Sequence, residues 1–461
     1  MPAKADKAPI RAKSTKTEIQ REFDEIQEQP ANARESANPK IEEALRPHET
    51  EAPEAVGAAT VESAVQRISG LGLERKELGR LHKTDVAATA PDQRMRRISA
   101  TPAQAEFLLS IVRPPGRLAP DIEDWSVLLR LARDHGVISL LDGRVPADQV
   151  QDLRWERHRN TARNLALASE LLNLLRAFES EGIPALPFKG VVLAAGLYGD
   201  LSHRRAGDLD ILIYRQHLMR ATAVLKERGY KLRTPVNDDG TPVDSEAVEC
   251  QFTQESLDGI TVELRWRLTS PHFFRRDFGM DALWPQRRRS ILLGSEVPDL
   301  RPEQTLVVLC VHGTKHGWMR LFWICDVVRL LLIHPELDWD SAEREARRFG
   351  LWRTLGLGVL LAHRIGGAPV AAETLQRFVA DRSVRRLEKY IRTHLFGEVA
   401  AISGLRFSQA LESGDRLRCL VRLGLRRPNE RDRAVIRLPR TLDFLYYAVR
   451  PLRVIWEYFL K

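Results

Sequence analysis

The chain has 461 residues, 43% hydrophobic and 29% charged, with Lys and Arg outnumbering Asp and Glu by 71 to 62 for a net charge of +9. That length holds two or more domains with a sizeable core, and the balance is that of a water-exposed globular chain. It excludes a fully disordered protein, and with no run of eighteen apolar residues it also excludes a membrane-spanning one.

The basic excess is a weak pointer to phosphorylated or polyanionic partners. Cys250, Cys310, Cys325 and Cys419 form no C-x-x-C pair and sit in apolar contexts. They read as reduced, buried thiols rather than disulfides or zinc ligands. The N-terminus carries no apolar signal region, so a cytoplasmic location is expected.

Residues 1–98 are rich in Ala, Glu, Lys, Arg and Pro, with Phe23 as the sole aromatic residue. They read as a disordered tail, with one weak amphipathic helix over Val61–Leu81. A helical lead-in over 99–182 follows. Helices are predicted at Ala103–Val112, at Trp125–Asp134 behind an Asp124 cap, and over Arg154–Glu181.

The period then changes, and 183–300 reads as an α/β core. Strands are predicted at Ile183–Phe188, Leu209–Tyr214, Tyr230–Arg233, Val248–Thr253 and Ile260–Trp266, the last two joined by a turn at Asp258-Gly259. Helices fall at Val191–Tyr198 and Gln216–Arg228, with a polar loop over Pro235–Ser245. Residues 301–400 read as a helical domain closing a cleft, with helices at Glu303–His316, Leu321–Ile333, Ser341–Phe349, Trp352–Arg364, Glu373–Ala380 and Arg385–Leu395. The basic extension 401–461 ends in a helix docked on the core. The fold class is α+β: a small mixed sheet flanked by helices, with a mostly helical C-terminal half.

Asp208-Leu209-Asp210 opens an apolar strand, and the period of two puts both carboxylates on one face, with Leu209, Ile211 and Ile213 on the other. The other D-x-D, Asp338-Trp339-Asp340, precedes a helix, where Asp340 reads as an N-cap. Two aspartates at a strand mouth each give a hard oxygen to a divalent metal. Glu263, on the polar face of the Ile260–Trp266 strand with Thr261 and Arg265, is the candidate third carboxylate; the alternative for it is a surface pairing with an arginine. Lys189-Gly190 lies at a strand-to-helix junction, where Gly allows close backbone approach and Lys a point charge for phosphate. Arg204 and Arg205 either bind a triphosphate or offset the Asp charge.

These residues resemble the uncharacterised nucleotidyltransferase group of the polymerase-β-like superfamily. The resemblance rests on Lys189-Gly190, Leu197-Tyr198, Arg204 and Asp208-Leu209-Asp210-Ile211-Leu212-Ile213. It extends to DWSVLLRLARDHGVISLL (Asp124 to Leu141), VELRWRL (Val262 to Leu268) and HGTKHGWMRLFWICDVVRLL (His312 to Leu331). Three departures stand out. Lys189-Gly190 replaces the superfamily's Gly-Ser pair, Glu263 replaces Asp, and Arg265 stands where the group often has His.

The resemblance implies Mg²⁺-dependent transfer of a nucleoside monophosphate from an NTP to an acceptor hydroxyl on a small molecule, a peptide or protein, or an RNA. Two ions are implied, one on Asp208 and Asp210, the other shared with Glu263. Lys189, Gly190, Arg204 and Arg205 would take the nucleotide. His312, Lys315, His316 and Asp326 would line the helical side of the cleft or tie two helices together; Trp318 and Trp323 read as core residues, with Trp318 the alternative base-stacking platform at the cleft. His312 and His316 also have zinc-site spacing, but lack the Glu of H-E-x-x-H. Two other readings stand beside this one. One is a nucleotidyltransferase-like accessory or regulatory protein with weak or no activity. The other is a nucleic-acid-binding protein, for which no motif is present.

Overall fold

The structure, a computed structural model, describes residues 99–397 apart from 114–120, 142, 244–246, 255–258, 270–273 and 275, together with parts of 409–459. The expected tail and its helix, the Asp258 turn position and Cys419 lie outside the described residues.

Local chemistry sets the first helices. Helix α1 (Pro102–Val112) starts on a capping box, in which Thr101 accepts from the Gln104 amide and the Gln104 side chain accepts from the Thr101 amide. Helix α2 (Trp125–Asp134) is capped by Asp124, which accepts from the Val127 amide at 3.1 Å. Helix α3 (Val150–Ser180) begins four residues earlier than its apolar periodicity announces.

The sheet comprises β1 (Ala185–Pro187), β2 (Leu209–Ile213), β3 (Lys231–Leu232), β4 (Glu249–Gln254) and β5 (Ile260–Arg265), in the order β1-β2-β5-β4-β3. β2 and β5 run parallel; the other neighbours are antiparallel. Helices α4 (Val191–Tyr198) and α5 (Leu218–Glu227) connect its strands. The parallel register sets Asp210 directly opposite Glu263.

Both faces of the sheet are covered. Leu209, Ile211 and Ile213 of β2 join Val262 and Leu264 in one core with Leu171, Leu174 and Phe178 of α3 and Leu225 of α5. Leu212, on the parity of Asp210, packs instead into the core of the C-terminal helices. The face that carries the carboxylates is therefore the face turned to those helices.

After a short turn of helix, α6 (Met280–Leu283), comes a hairpin absent from the sequence reading: β6 (Arg288–Leu292) and β7 (Ser295–Asp299). Its turn uses Leu293 at φ 48° and Gly294 at φ 77°. Two positive φ values suit a tight hairpin turn, but the residue that normally signals one is Asn or Asp, and Leu hides it. Helices α7 (Pro302–Lys315), α8 (Leu321–Ile333), α9 (Trp339–Arg348), α10 (Trp352–Gly366), α11 (Ala372–Ala380) and α12 (Arg382–His394) form the helical half. Asp338, not Asp340, caps α9: it accepts from the Ser341 amide at 2.9 Å, and Asp340 falls within the first turn. The terminal helix α13 (Tyr446–Phe459) follows a 3₁₀ turn, and Tyr446 is buried at its start. Cys250, Cys310 and Cys325 are buried free thiols.

Candidate active site

The Lys189-Gly190 junction and the D-x-D segment are locked to each other by backbone geometry. Gly190 sits at φ 62° as the N-cap of α4, and a Cβ there would stand 3.0 Å from the Asp208 carbonyl oxygen. A side chain at this position meets both torsional strain and a backbone atom that cannot yield. The close approach delivers Lys189 to the carboxylates: its Nζ lies 2.9 Å from Asp210 Oδ2 and 3.5 Å from His312 Nδ1 on α7.

Asp210 is held from its other side by Arg265, whose Nε donates to Oδ1 at 3.2 Å. The remaining nitrogens of that guanidinium pair with Glu263 and with Glu249, its register partner on β4. Burial opposes charge on Asp210, but Lys189 and Arg265 overcome it and lower its pKa. Burial likewise opposes the charge on Arg265, and its three carboxylates more than restore it. Glu263 keeps a raised pKa, because burial and the nearby Asp210 outweigh Arg265.

Asp208 is different. It is half-buried and has no hydrogen-bond or ion-pair partner among the described residues. Burial, then repulsion from Asp210, push its carboxyl up to about 7. A carboxylate in that position is stabilised by any added cation.

The helical wall presents Lys315 beside two histidines that burial and neighbouring cations keep from charging. His312 is driven well below its ordinary pKa by burial and then by Lys189; burial and Lys315 take His316 down to about 4. Their rings lie 4.6 Å apart and both meet Trp323, on which His316 stacks at 5.2 Å. Lys315 keeps much of its surface open and has no ion-pair partner among the described residues. Enough protein crowds it, with Arg265 nearby, to hold its ammonium below the ordinary value.

Four expected site residues are placed elsewhere. Arg204, 7% exposed, donates through Nε and a terminal nitrogen to both oxygens of Asp326 at 2.9 to 3.1 Å, and through its other terminal nitrogen to the Gly190 carbonyl at 3.0 Å. Tyr198 donates to the same Asp326 at 2.8 Å. This closed cluster ties α4 and its following loop to α8, so Arg204 and Asp326 are spent on each other. Trp318 is fully buried, its indole N–H donating to Thr314 and its ring against Gly313. It is a core residue, because a ring with no exposed face cannot stack a base. Arg205 is exposed on the loop before the strand, near Arg320.

Glu249 is the residue that the sequence reading missed, and Trp323, read as core and buried as such, also packs on the site histidines. Glu249 reaches the site only through its register with Arg265, and register between β4 and β5 leaves no local mark. Trp323 was visible as a tryptophan two residues before Cys325, but nothing in sequence aims it at His316.

Residues 121–367 match the model of a family described as uncharacterised nucleotidyltransferase. The chain belongs to that family. The crystal structure of an antigenic nucleotidyltransferase-like protein from Paracoccidioides brasiliensis is similar at 18% identity, over 46% of this chain and 96% of that one, with a TM-score of 0.29. No curated protein matches the chain.

As in the sequence of a nucleotidyltransferase, hard oxygen donors are present for a divalent metal. Among the described residues, however, no three His, Cys, Asp or Glu side chains gather as a ready metal-binding group. The reason is visible: Asp210 and Glu263 are turned to Arg265. Asp208, without a hydrogen-bond or ion-pair partner among the described residues and beside Asp210, is the donor left to a cation; Asp210 would join it only by sharing an oxygen already engaged by Lys189 or Arg265. His312 and His316 pack on Trp323 rather than converging with a third ligand. Among the described residues no helix is long and apolar enough to cross a membrane.

Proposed function

We propose that this cleft transfers a nucleoside monophosphate from an NTP to an acceptor hydroxyl, with Mg²⁺ held by Asp208 and Asp210. One observation carries the reading: a carboxylate with no hydrogen-bond or ion-pair partner among the described residues, Asp208, beside Asp210 and in the field of Lys189 and Arg265, with Lys315 exposed on α7. A carboxylate that lacks a cation and a lysine that lacks an anion are what a metal–triphosphate complex would satisfy together.

In this reading Asp208 and Asp210 would hold the metal, which would supply charge neutralisation for the triphosphate and the departing pyrophosphate. Lys189 holds Asp210 in place, and Lys315 meets phosphate at the open rim. The acceptor oxygen bonds to the α-phosphorus, the bond to the bridging oxygen breaks, and pyrophosphate leaves with its electron pair. The hydroxyl proton passes to the carboxylate cluster. No covalent protein intermediate is needed; the chain contributes position and charge. The acceptor is a small molecule, a peptide or protein, or an RNA.

The test is Mg²⁺-dependent transfer from α-labelled NTPs into a cell extract. Wild type labels an acceptor, and Asp208→Ala/Asp210→Ala loses at least ~10³-fold of that rate. Labelling that survives intact in the double variant sinks the assigned site. A second reading, an accessory protein with weak or no transfer, draws on the double salt bridge that engages both oxygens of Asp210. Nucleotide-free behaviour in a direct binding assay, with or without Mg²⁺, would select it.

A further inference from the structure

Arg265 occupies an unusual position. It is 7% exposed and lies on the polar face of β5, and its three guanidinium nitrogens each engage a different carboxylate: Asp210, Glu263 and Glu249. Asp210 and Glu263 belong to adjacent parallel strands and are register partners. Adjacent strands lie about 4.8 Å apart, which is the spacing a bridging cation between their side chains would fill. The guanidinium fills it already.

We propose that Arg265 is the permanent cation of this cluster, standing where a second divalent ion would bridge Asp210 and Glu263, so that the site takes a single divalent ion. This rests on the nucleotidyltransferase reading above. Arg265 cannot step aside cheaply. Withdrawing it leaves Glu263 and Glu249 without their guanidinium partner and Asp210 with Lys189 alone, and breaking a buried ion pair is strongly destabilising. An arginine also stays charged at every working pH, so its place is not vacated by titration. The one remaining open carboxylate is Asp208, whose partners among the described residues are none. It lies at the mouth of β2, before the strand begins, outside the reach that Arg265 has taken up.

Glu263 then has a different task from the one its position suggests. Instead of ligating a metal, it orients Arg265, with Glu249 gripping the guanidinium from the other neighbouring strand. Glu263 is in this sense a positioning residue. The geometry ties the replacement of metal by arginine to an additional acidic residue on β4.

The experiment counts bound Mn²⁺ per chain by electron paramagnetic resonance, on the full-length protein with a non-hydrolysable ATP analogue and with Mn²⁺ alone. Wild type binds one ion. Arg265→Gln, which removes the charge but keeps much of the bulk, binds two; Arg265→Lys, which keeps a cation, stays at one. Thermal unfolding establishes that each variant is folded. Two ions on wild type overturn the proposal and leave the nucleotidyltransferase reading standing, as does a folded Arg265→Gln that still binds one. No ion and no analogue on wild type overturn both. If Arg265→Gln does not fold, the wild-type count decides alone: one sustains the proposal, two overturns it.

Discussion

Two buried ionic clusters lie within a few residues of each other in the chain, and they are built on opposite principles. In the Arg204–Asp326–Tyr198 cluster, Arg204 and Tyr198 both close on the Asp326 carboxylate, and Arg204 also reaches the Gly190 carbonyl. In the Asp208–Asp210–Arg265–Lys189 cluster, Asp210 and Arg265 are satisfied but Asp208 is left over, and Lys315 stands open at the rim. Burying a charge is tolerated when it is paired and costly when it is not. The closed cluster therefore holds the fold, and the unsatisfied one is where the proposed reading seats the metal–nucleotide complex.

The largest effect that tests this contrast falls on the closed cluster. Arg204→Ala or Asp326→Ala strands a buried charge and lowers unfolding free energy by ~3–5 kcal/mol, read from urea denaturation. A loss under ~1 kcal/mol would mean that this cluster is not structural, and the comparison fails.

Next comes the junction between the two clusters. Gly190→Ala places a Cβ 3.0 Å from the Asp208 carbonyl at φ 62°. It costs ~2 kcal/mol in stability by strain at a left-handed position, and it displaces the D-x-D backbone, so nucleotide binding weakens as well. A variant as stable as wild type would show that the close approach is not required.

Smaller again is the rim. Lys315→Met raises KM for the NTP ~5-fold with kcat within ~2-fold, as loss of ground-state phosphate binding does. An unchanged KM removes Lys315 from the phosphate site.

The smallest effect concerns pH. The Asp208 carboxyl is raised to about 7 in the folded protein from an ordinary 3.8. The folded state thus binds more protons than the unfolded one between those values, and the Asp208 contribution to stability falls as pH rises through that window. Asp208→Asn is exempt. Its melting temperature gains on wild type as pH climbs to about 7 and gains no further above it, whereas the proposed transfer activity is lost. A gap that is flat with pH would show that Asp208 is not held uncharged, which places it with the paired group rather than the open one.

These tests bear on different levels of what the sequence announced. The period of two along Leu209–Ile213 set the carboxylate and apolar parities of β2, because side-chain alternation is a local property. The helix start at Trp125 was legible through Asp124, since a cap is made within four residues, whereas the first helix begins one residue before its expected start, on a Thr101 cap that the apolar pattern alone did not mark. At α9 the same rule misassigned the cap by two positions, because Asp338 and Asp340 both have the required chemistry and only the chain's entry angle chooses between them. The β6–β7 hairpin was illegible, its turn residue being a leucine forced to φ 48°.

Within the site, the sequence by itself determined which chemical groups were on hand: two aspartates on one strand face, a lysine and a glycine at a junction, and a glutamate and arginine two apart on another strand. It could not decide how they are shared out. Arg204 and Arg265 are the same residue type, both close to the D-x-D in the folded chain, yet one closes on Asp326 of α8 and the other on Asp210, Glu249 and Glu263. That division depends on strand register and on the packing of α8 against α4, contacts spanning up to 122 residues of sequence. Charge is a property of a residue, but whether a charge is satisfied is a property of its neighbours, and only the tertiary structure decides who those are.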